Sequence, residues 1–222
     1  MKPTSHHVDP RYGSALFLVL FLAGCGGGGS TGGGASRAPR NLADYKSQMV
    51  RVSDTLKMGR TEVTVGMWKE FCQATGRTMP VAPSWGWIDD NPMVNISFQD
   101  ADVYSEWSGL RIPTNSEWDA AASGGTGRIY PWGDDWNPAL CVNGTTSSRT
   151  KPVGSIPSGN SPLGASDMAG NAWEWTDALD DSYSTIRGGS WTIQSEDSFR
   201  IDYGDSFSPS YSDDSIGVRL CL

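Results

Sequence analysis

Three stretches between Thr64 and Gly125 carry the start and stop signals of short helices, and the sequence beyond Gly125 carries none of comparable completeness. Ser97-Phe98-Gln99-Asp100 and Thr114-Asn115-Ser116-Glu117 fit the capping-box pattern, in which a hydroxyl and a carboxylate each accept from a free backbone N–H. The helices they open carry Ala101, Val103, Tyr104 and Trp107, then Trp118, Ala120 and Ala122. They stop at Gly109 and at Gly124-Gly125, where a left-handed residue costs little. A helix over 65–74 places Met67, Trp68, Phe71 and Cys72 at helical spacing and stops at Gly76. Weak alternation through Val50, Val52, Leu56 and Met58 predicts short strands before it. After Gly125, Pro, Gly, Asn and Asp interrupt every apolar run. The expected class is therefore α+β, loop-rich, with short strands and about three helices.

The N-terminus reads differently. Residues 15–24 form an apolar run behind Lys2 and Arg11, well short of the roughly 20 residues a spanning helix needs. The run ends in Leu22-Ala23-Gly24-Cys25, which looks like a bacterial lipobox with Cys25 as the lipidated residue. Residues 26–40 are rich in Gly and small residues, a composition that forms no core and behaves as a flexible coil. The expected organisation is a signal peptide over 1–24, a lipidated Cys and tether over 25–44, and one domain over 45–222. Gly26 after the lipidated Cys resembles lipoproteins sorted to an outer membrane, so the expected location is the bacterial envelope or cell surface.

Charge and residue inventory exclude several chemistries. A net charge of −8 without clustered Lys and Arg disfavours nucleic acid as a partner. Both histidines, His6 and His7, precede Cys25, so the expected mature chain has no Ser-His-Asp or Cys-His catalysis and no His-bound zinc or iron. Cys72, Cys141 and Cys221 form an odd set, which leaves at least one thiol unpaired or paired between molecules.

The landmarks then fall in a recognisable order: Glu62-Val63-Thr64, Asn91-Pro92-Met93-Val94-Asn95-Ile96-Ser97, Arg111 through Trp118, Tyr130-Pro131-Trp132-Gly133, Asp167 through Trp175, Arg187-Gly188-Gly189-Ser190-Trp191 and Gly217-Val218-Arg219. Together they resemble the formylglycine-generating-enzyme, or sulfatase-modifying-factor, family over nearly all of 50–220. The resemblance implies a C-type-lectin-like fold. It also places two copper-binding cysteines after the Trp191 motif, at positions filled here by Ile193 and Ser198. Neither side chain can serve as a thiolate, so no copper and no oxidase activity are expected. The resemblance implies a calcium loop made by Asp167, Gly170, Ala172 and Glu174, with oxygen donors that suit a hard cation. The competing reading pairs Glu174 with a nearby arginine.

Between Trp191 and Ile216 the chain is dominated by Ser, Asp, Tyr, Phe and Ile, with no Lys, Ala or Asn. The frame around it resembles the variable region of proteins diversified by retroelements, in which adenines of AAC codons are replaced. Thr192, Ile193, Asp197, Ser198, Asp202, Tyr203, Asp205, Ser206, Phe207, Tyr211, Asp213, Asp214 and Ser215 all fall within the residue set such replacement yields. The bland alternative is an acidic Ser-rich loop left after loss of catalysis. These thirteen positions are the expected contact surface for an unknown protein or glycan ligand, with Trp191, Phe199 and Ile216 buried beneath. The expected function is a surface-displayed, non-catalytic binding lipoprotein. A divergent enzyme of the formylglycine-generating type and an inert envelope lipoprotein are the alternatives.

Overall fold

The computed structural model describes residues 37–178 and 182–222. The signal-peptide core, Cys25 and the tether up to residue 36 lie outside the described residues. Among the described residues, no helix is long and apolar enough to cross a membrane.

The punctuated helices form where their caps predict. Helix α2 (Val65–Thr75) is capped by Thr64, whose hydroxyl accepts from the Met67 N–H, and it ends at left-handed Gly76. Helices α3 (Phe98–Ser108) and α4 (Asn115–Ser123) both begin with a complete capping box and end at left-handed Gly109 and Gly124. Each cap satisfies N–H groups that have no partner inside the helix. An additional helix, α1 (Leu42–Ser47), precedes them. Asn41 caps it, and Tyr45 is buried with its hydroxyl accepting from the Leu220 N–H at 2.9 Å. Residues 42–44, read from composition as tether, therefore belong to the folded domain: six residues are too few for a periodicity signal, and burial of Tyr45 against a distant segment supplies the stability.

Strands β1 (Val50–Arg51) and β2 (Lys57–Met58) form a short antiparallel pair. The main sheet contains β3 (Trp173–Ala178), β4 (Ser184–Arg187), β5 (Gly204–Phe207) and β6 (Ile216–Val218), in spatial order β5-β4-β3-β6. Strands β3 and β6 run parallel, with Trp173 opposite Ile216 and Trp175 opposite Val218, whereas the other neighbours are antiparallel. The largest core cluster fills the space between this sheet and α2 and α3. Trp68 stacks on Tyr104 at 4.7 Å between ring centroids, and Trp175 lies edge-on to Phe98.

Beneath the loops sits a buried polar cluster. Arg219 is fully buried, and its guanidinium donates to both oxygens of Glu174 at 2.7 and 3.0 Å. The same guanidinium also donates to the carbonyls of Gly59 and Ser166. Trp118 donates its indole N–H to Glu174 Oε2 at 2.7 Å. Asn171 donates to Glu62 Oε1 at 2.9 Å, and the Gly154 N–H donates to Asp167 Oδ2 at 2.5 Å. Together these contacts tie segments from residue 59 to residue 219 around one buried polar cluster.

Candidate binding face

The segment between Trp191 and Ile216 leaves the sheet after β4, adds the edge strand β5 to it, and returns at the opposite edge with β6. Gly189 makes the departure possible: its φ is +75°, and a Cβ there would lie 2.5 Å from the ring of Phe199. Phe199 is fully buried against Tyr130, Cys141 and Ala169, and Ile216 is buried in the main core. The two form the expected floor. Trp191 departs from expectation, being only half-buried. It packs edge-on to Trp85 at 5.1 Å and donates its indole N–H to the Asp214 carbonyl at 3.1 Å.

Above this floor lies a cavity of about 390 Å³. Ten of the thirteen expected contact residues line it: Thr192, Ile193, Ser198, Tyr203 and Asp205 from the first part of the segment, and Phe207, Tyr211, Asp213, Asp214 and Ser215 from the second. Trp173 and Ile186 complete the base. The sequence reading missed these two because they sit on β3 and β4 and reach the cavity only through sheet pairing. Phe207 and Tyr211 stack at 4.7 Å with their planes 14° apart, and Trp173 faces Tyr203 at 6.2 Å. Tyr203 and Tyr211 remain 38% and 40% exposed, so the rings stand at the rim and not in the core.

The remaining expected contacts separate from this group. Asp202 is held in a bidentate pair by Arg200 and borders a different cavity, beside Asp119 and Arg128. Asp197 lies exposed on a 3₁₀ turn over Glu196–Phe199, and Ser206 sits half-buried on β5. Ser215 lines the cavity yet is buried, because its N–H and hydroxyl both donate to Asp213 Oδ1.

The electrostatics of the face are one-sided. Asp205, Asp213 and Asp214 line the cavity, and neither Lys nor Arg does. Burial and the neighbouring Asp213 push the Asp214 carboxyl above its ordinary range, and burial together with Asp213 does the same to the Tyr211 hydroxyl.

The positions that the resemblance links to copper and to calcium carry other side-chain chemistry here. The positions that the resemblance assigns to copper thiolates, Ile193 and Ser198, both line this cavity but offer no soft ligand. The three described cysteines lie elsewhere, free and buried, and burial pushes the Cys141 and Cys221 thiols up to about 11 and 12. The calcium positions also take another employment. Both Glu174 oxygens are occupied by Arg219 and Trp118, so a buried cation of the protein itself supplies the countercharge that calcium was expected to supply. Gly170, at φ +85°, and Ala172 shape the loop: a Cβ at Gly170 would lie 2.4 Å from the Val142 carbonyl oxygen. Among the described residues, no group of three or more His, Cys, Asp or Glu side chains is placed to hold a metal ion.

Comparison with known proteins agrees with this geometry. The family profile described as the sulfatase-modifying factor enzyme 1-like domain matches residues 26–222. The inactive C-alpha-formylglycine-generating enzyme 2 of Bos taurus is 33% identical over 196 residues, covering 76% of this chain and 63% of its own. Hercynine oxygenase of Mycolicibacterium smegmatis is 29% identical over 214 residues, covering 70% of this chain. The chain spans about half the length of the hercynine oxygenases it matches. Among solved structures, Treponema denticola variable protein 1 superposes with a TM-score of 0.63 at 19% identity, covering 79% of this chain and 91% of that one. The fold is the α+β, C-type-lectin-like fold that the ordered landmarks implied.

Proposed function

The chain belongs to the sulfatase-modifying factor enzyme 1-like family, and on that premise we propose that it is a non-catalytic binding protein: a lipoprotein held to the bacterial envelope through Cys25, reading a protein or glycan ligand with its C-terminal segment. One observation carries the reading. Ile193 and Ser198 line the cavity at the two positions where the resemblance puts the copper thiolates. An aliphatic side chain and a neutral hydroxyl cannot bind Cu(I) or exchange thiols, whereas the concave, ring-lined shape around them remains suited to a ligand. A bovine relative whose name declares it inactive supports the idea that the scaffold persists without the chemistry.

Diversification of the segment belongs to the same proposal. Every one of the thirteen positions except Ser215 is exposed or half-exposed, and such positions tolerate substitution with changes of roughly half a kcal/mol or less. Phe199 and Ile216 below them are buried and lie outside the substituted set. A reverse transcriptase gene beside a template repeat covering codons 192–215 would be the expected genomic context, and a template without adenines at those codons would refute diversification.

The binding reading is tested with the purified domain and a variant carrying Tyr203→Ala, Phe207→Ala and Tyr211→Ala, each applied to a glycan array and to a phage library of random peptides. Retention by the parent and not by the variant, at equal melting temperature, is expected. Equal retention by both, or none by either, overturns it. A sulfatase peptide incubated with the domain and Cu(I) should stay unoxidised, and formylglycine formation would restore the enzyme.

A further inference from the structure

The binding proposal leaves the chemistry of the ligand open, and the cavity itself narrows it. The segment from Trp191 to Ile216 carries six carboxylates, Glu196, Asp197, Asp202, Asp205, Asp213 and Asp214, against a single cation, Arg200. That cation is already paired, since its Nε–H and one Nη2–H donate to the two oxygens of Asp202 at 2.9 Å. The three carboxylates lining the cavity have no ion-pair partner among the described residues, and the Asp214 carboxylate has no hydrogen-bond partner there either. They face Tyr203 and the stacked Phe207 and Tyr211.

Each half of this arrangement is costly alone. Unpaired carboxylates partly withdrawn from water repel one another, and exposed rings offer apolar area that water solvates poorly. One class of group relieves both. A cation is attracted to the negative face of an aromatic ring and pairs with carboxylates at the same time. An anionic or purely apolar ligand would leave the carboxylates uncompensated.

Resting on the binding reading above, we infer that the cavity takes the cationic side chain of an arginine or lysine presented by a basic segment of a partner protein, held between the Tyr203, Phe207 and Tyr211 rings and the Asp205 and Asp214 carboxylates. The volume, about 390 Å³, suits one long side chain and its neighbours. Tyr203 and Tyr211, exposed at the rim, extend the contact to the flanking backbone of a macromolecule, as aromatic residues do in antibody paratopes. Association is then steered by charge and weakens as salt rises.

The experiment uses random peptides displayed on phage, panned on the domain at low and at physiological salt. Clones retained by the parent and lost by the triple ring variant are expected to share an arginine or lysine anchor. A synthetic peptide from such a clone should weaken roughly tenfold or more when its anchor arginine is replaced by citrulline, which keeps the shape and removes the charge. Asp205→Asn with Asp214→Asn should weaken it similarly without lowering the melting temperature. The citrulline arm leaves the domain untouched, so it decides the question even where a variant folds poorly. Ring-dependent clones that lack a basic residue would overturn the cationic ligand and leave the binding face standing. If no clone depends on the rings, the inference fails, and a blank glycan array alongside would remove the binding face as well.

Discussion

Two groups of carboxylates make opposite use of the same chemistry. Glu62, Asp167 and Glu174 are buried, and their oxygens meet Arg219, Trp118, Asn171 and the Gly154 N–H. Asp205, Asp213 and Asp214 stand at an open cavity and meet no cation. The inner group is committed to the fold: each charge is expensive to bury, and the network returns that energy only while it is complete. The outer group accepts only local hydrogen bonds, from Ser206, Tyr211 and Ser215, and no cation of the described residues pairs with it, which leaves its charge for a partner. Burial and the adjacent Asp167 and Glu174 hold the Glu62 carboxyl well above its usual range. One of its oxygens, Oε2, is buried without a hydrogen-bond partner.

The largest expected effect comes from breaking the inner pair. Glu174→Ala or Arg219→Ala strands a buried charge and is expected to destabilise the domain by about 3–5 kcal/mol, read as a loss of denaturant midpoint. A change under about 1 kcal/mol would dissolve the distinction between the groups.

The next effect is one of pH. Because the folded-state affinities of Glu62 and Asp167 for protons are raised, with burial as the leading cause in each, their contribution to stability is fully present below the ordinary carboxylate range. It is lost as pH rises through their raised values. Glu117 has the opposite sign. The Arg111 guanidinium holds it down to about 2, so its contribution is present above the ordinary range and is lost as pH falls toward about 2. Denaturation across pH should therefore show stability declining on the alkaline side of the carboxylate range, and Glu62→Gln should flatten that decline.

On the outer face the expected effects on stability are small. Asp205→Asn with Asp214→Asn, at exposed or half-exposed sites, should shift folding free energy by no more than about half a kcal/mol each. A slight gain is expected, since like-charge repulsion between Asp213 and Asp214 is relieved. The smallest expected effect is that of calcium. With Glu174 engaged by Arg219, melting midpoints in millimolar calcium and in chelator should coincide, and a rise with calcium would show that the ion displaces the guanidinium.

Much of this was legible in the sequence, and the reason is locality. Capping boxes at Ser97 and Thr114 and left-handed stops at Gly76, Gly109 and Gly124 act over four or five residues, so the three long helices could be read directly. The short helix Leu42–Ser47 could not, because its anchor, Tyr45, is held by Leu220, 175 residues away. Similarly, the acidic, aromatic segment announced itself by composition, but composition could not say that Asp202 turns away to Arg200 or that Ser215 turns inward to Asp213.

The sequence by itself determined the class, the helix ends, the absence of thiols at Ile193 and Ser198, and the peculiar chemistry of 192–215, all of which are properties of residues and their near neighbours. Only the tertiary structure decided which of those residues share a cavity and what charge it presents. The parallel pairing of β3 with β6 sets Trp173 beside Ile216 as its base. The closing of Arg219 onto Glu174 turns a loop that could have held an ion into an ion pair. Both are contacts across more than forty residues of chain, made by sheet register and burial and not by local propensity.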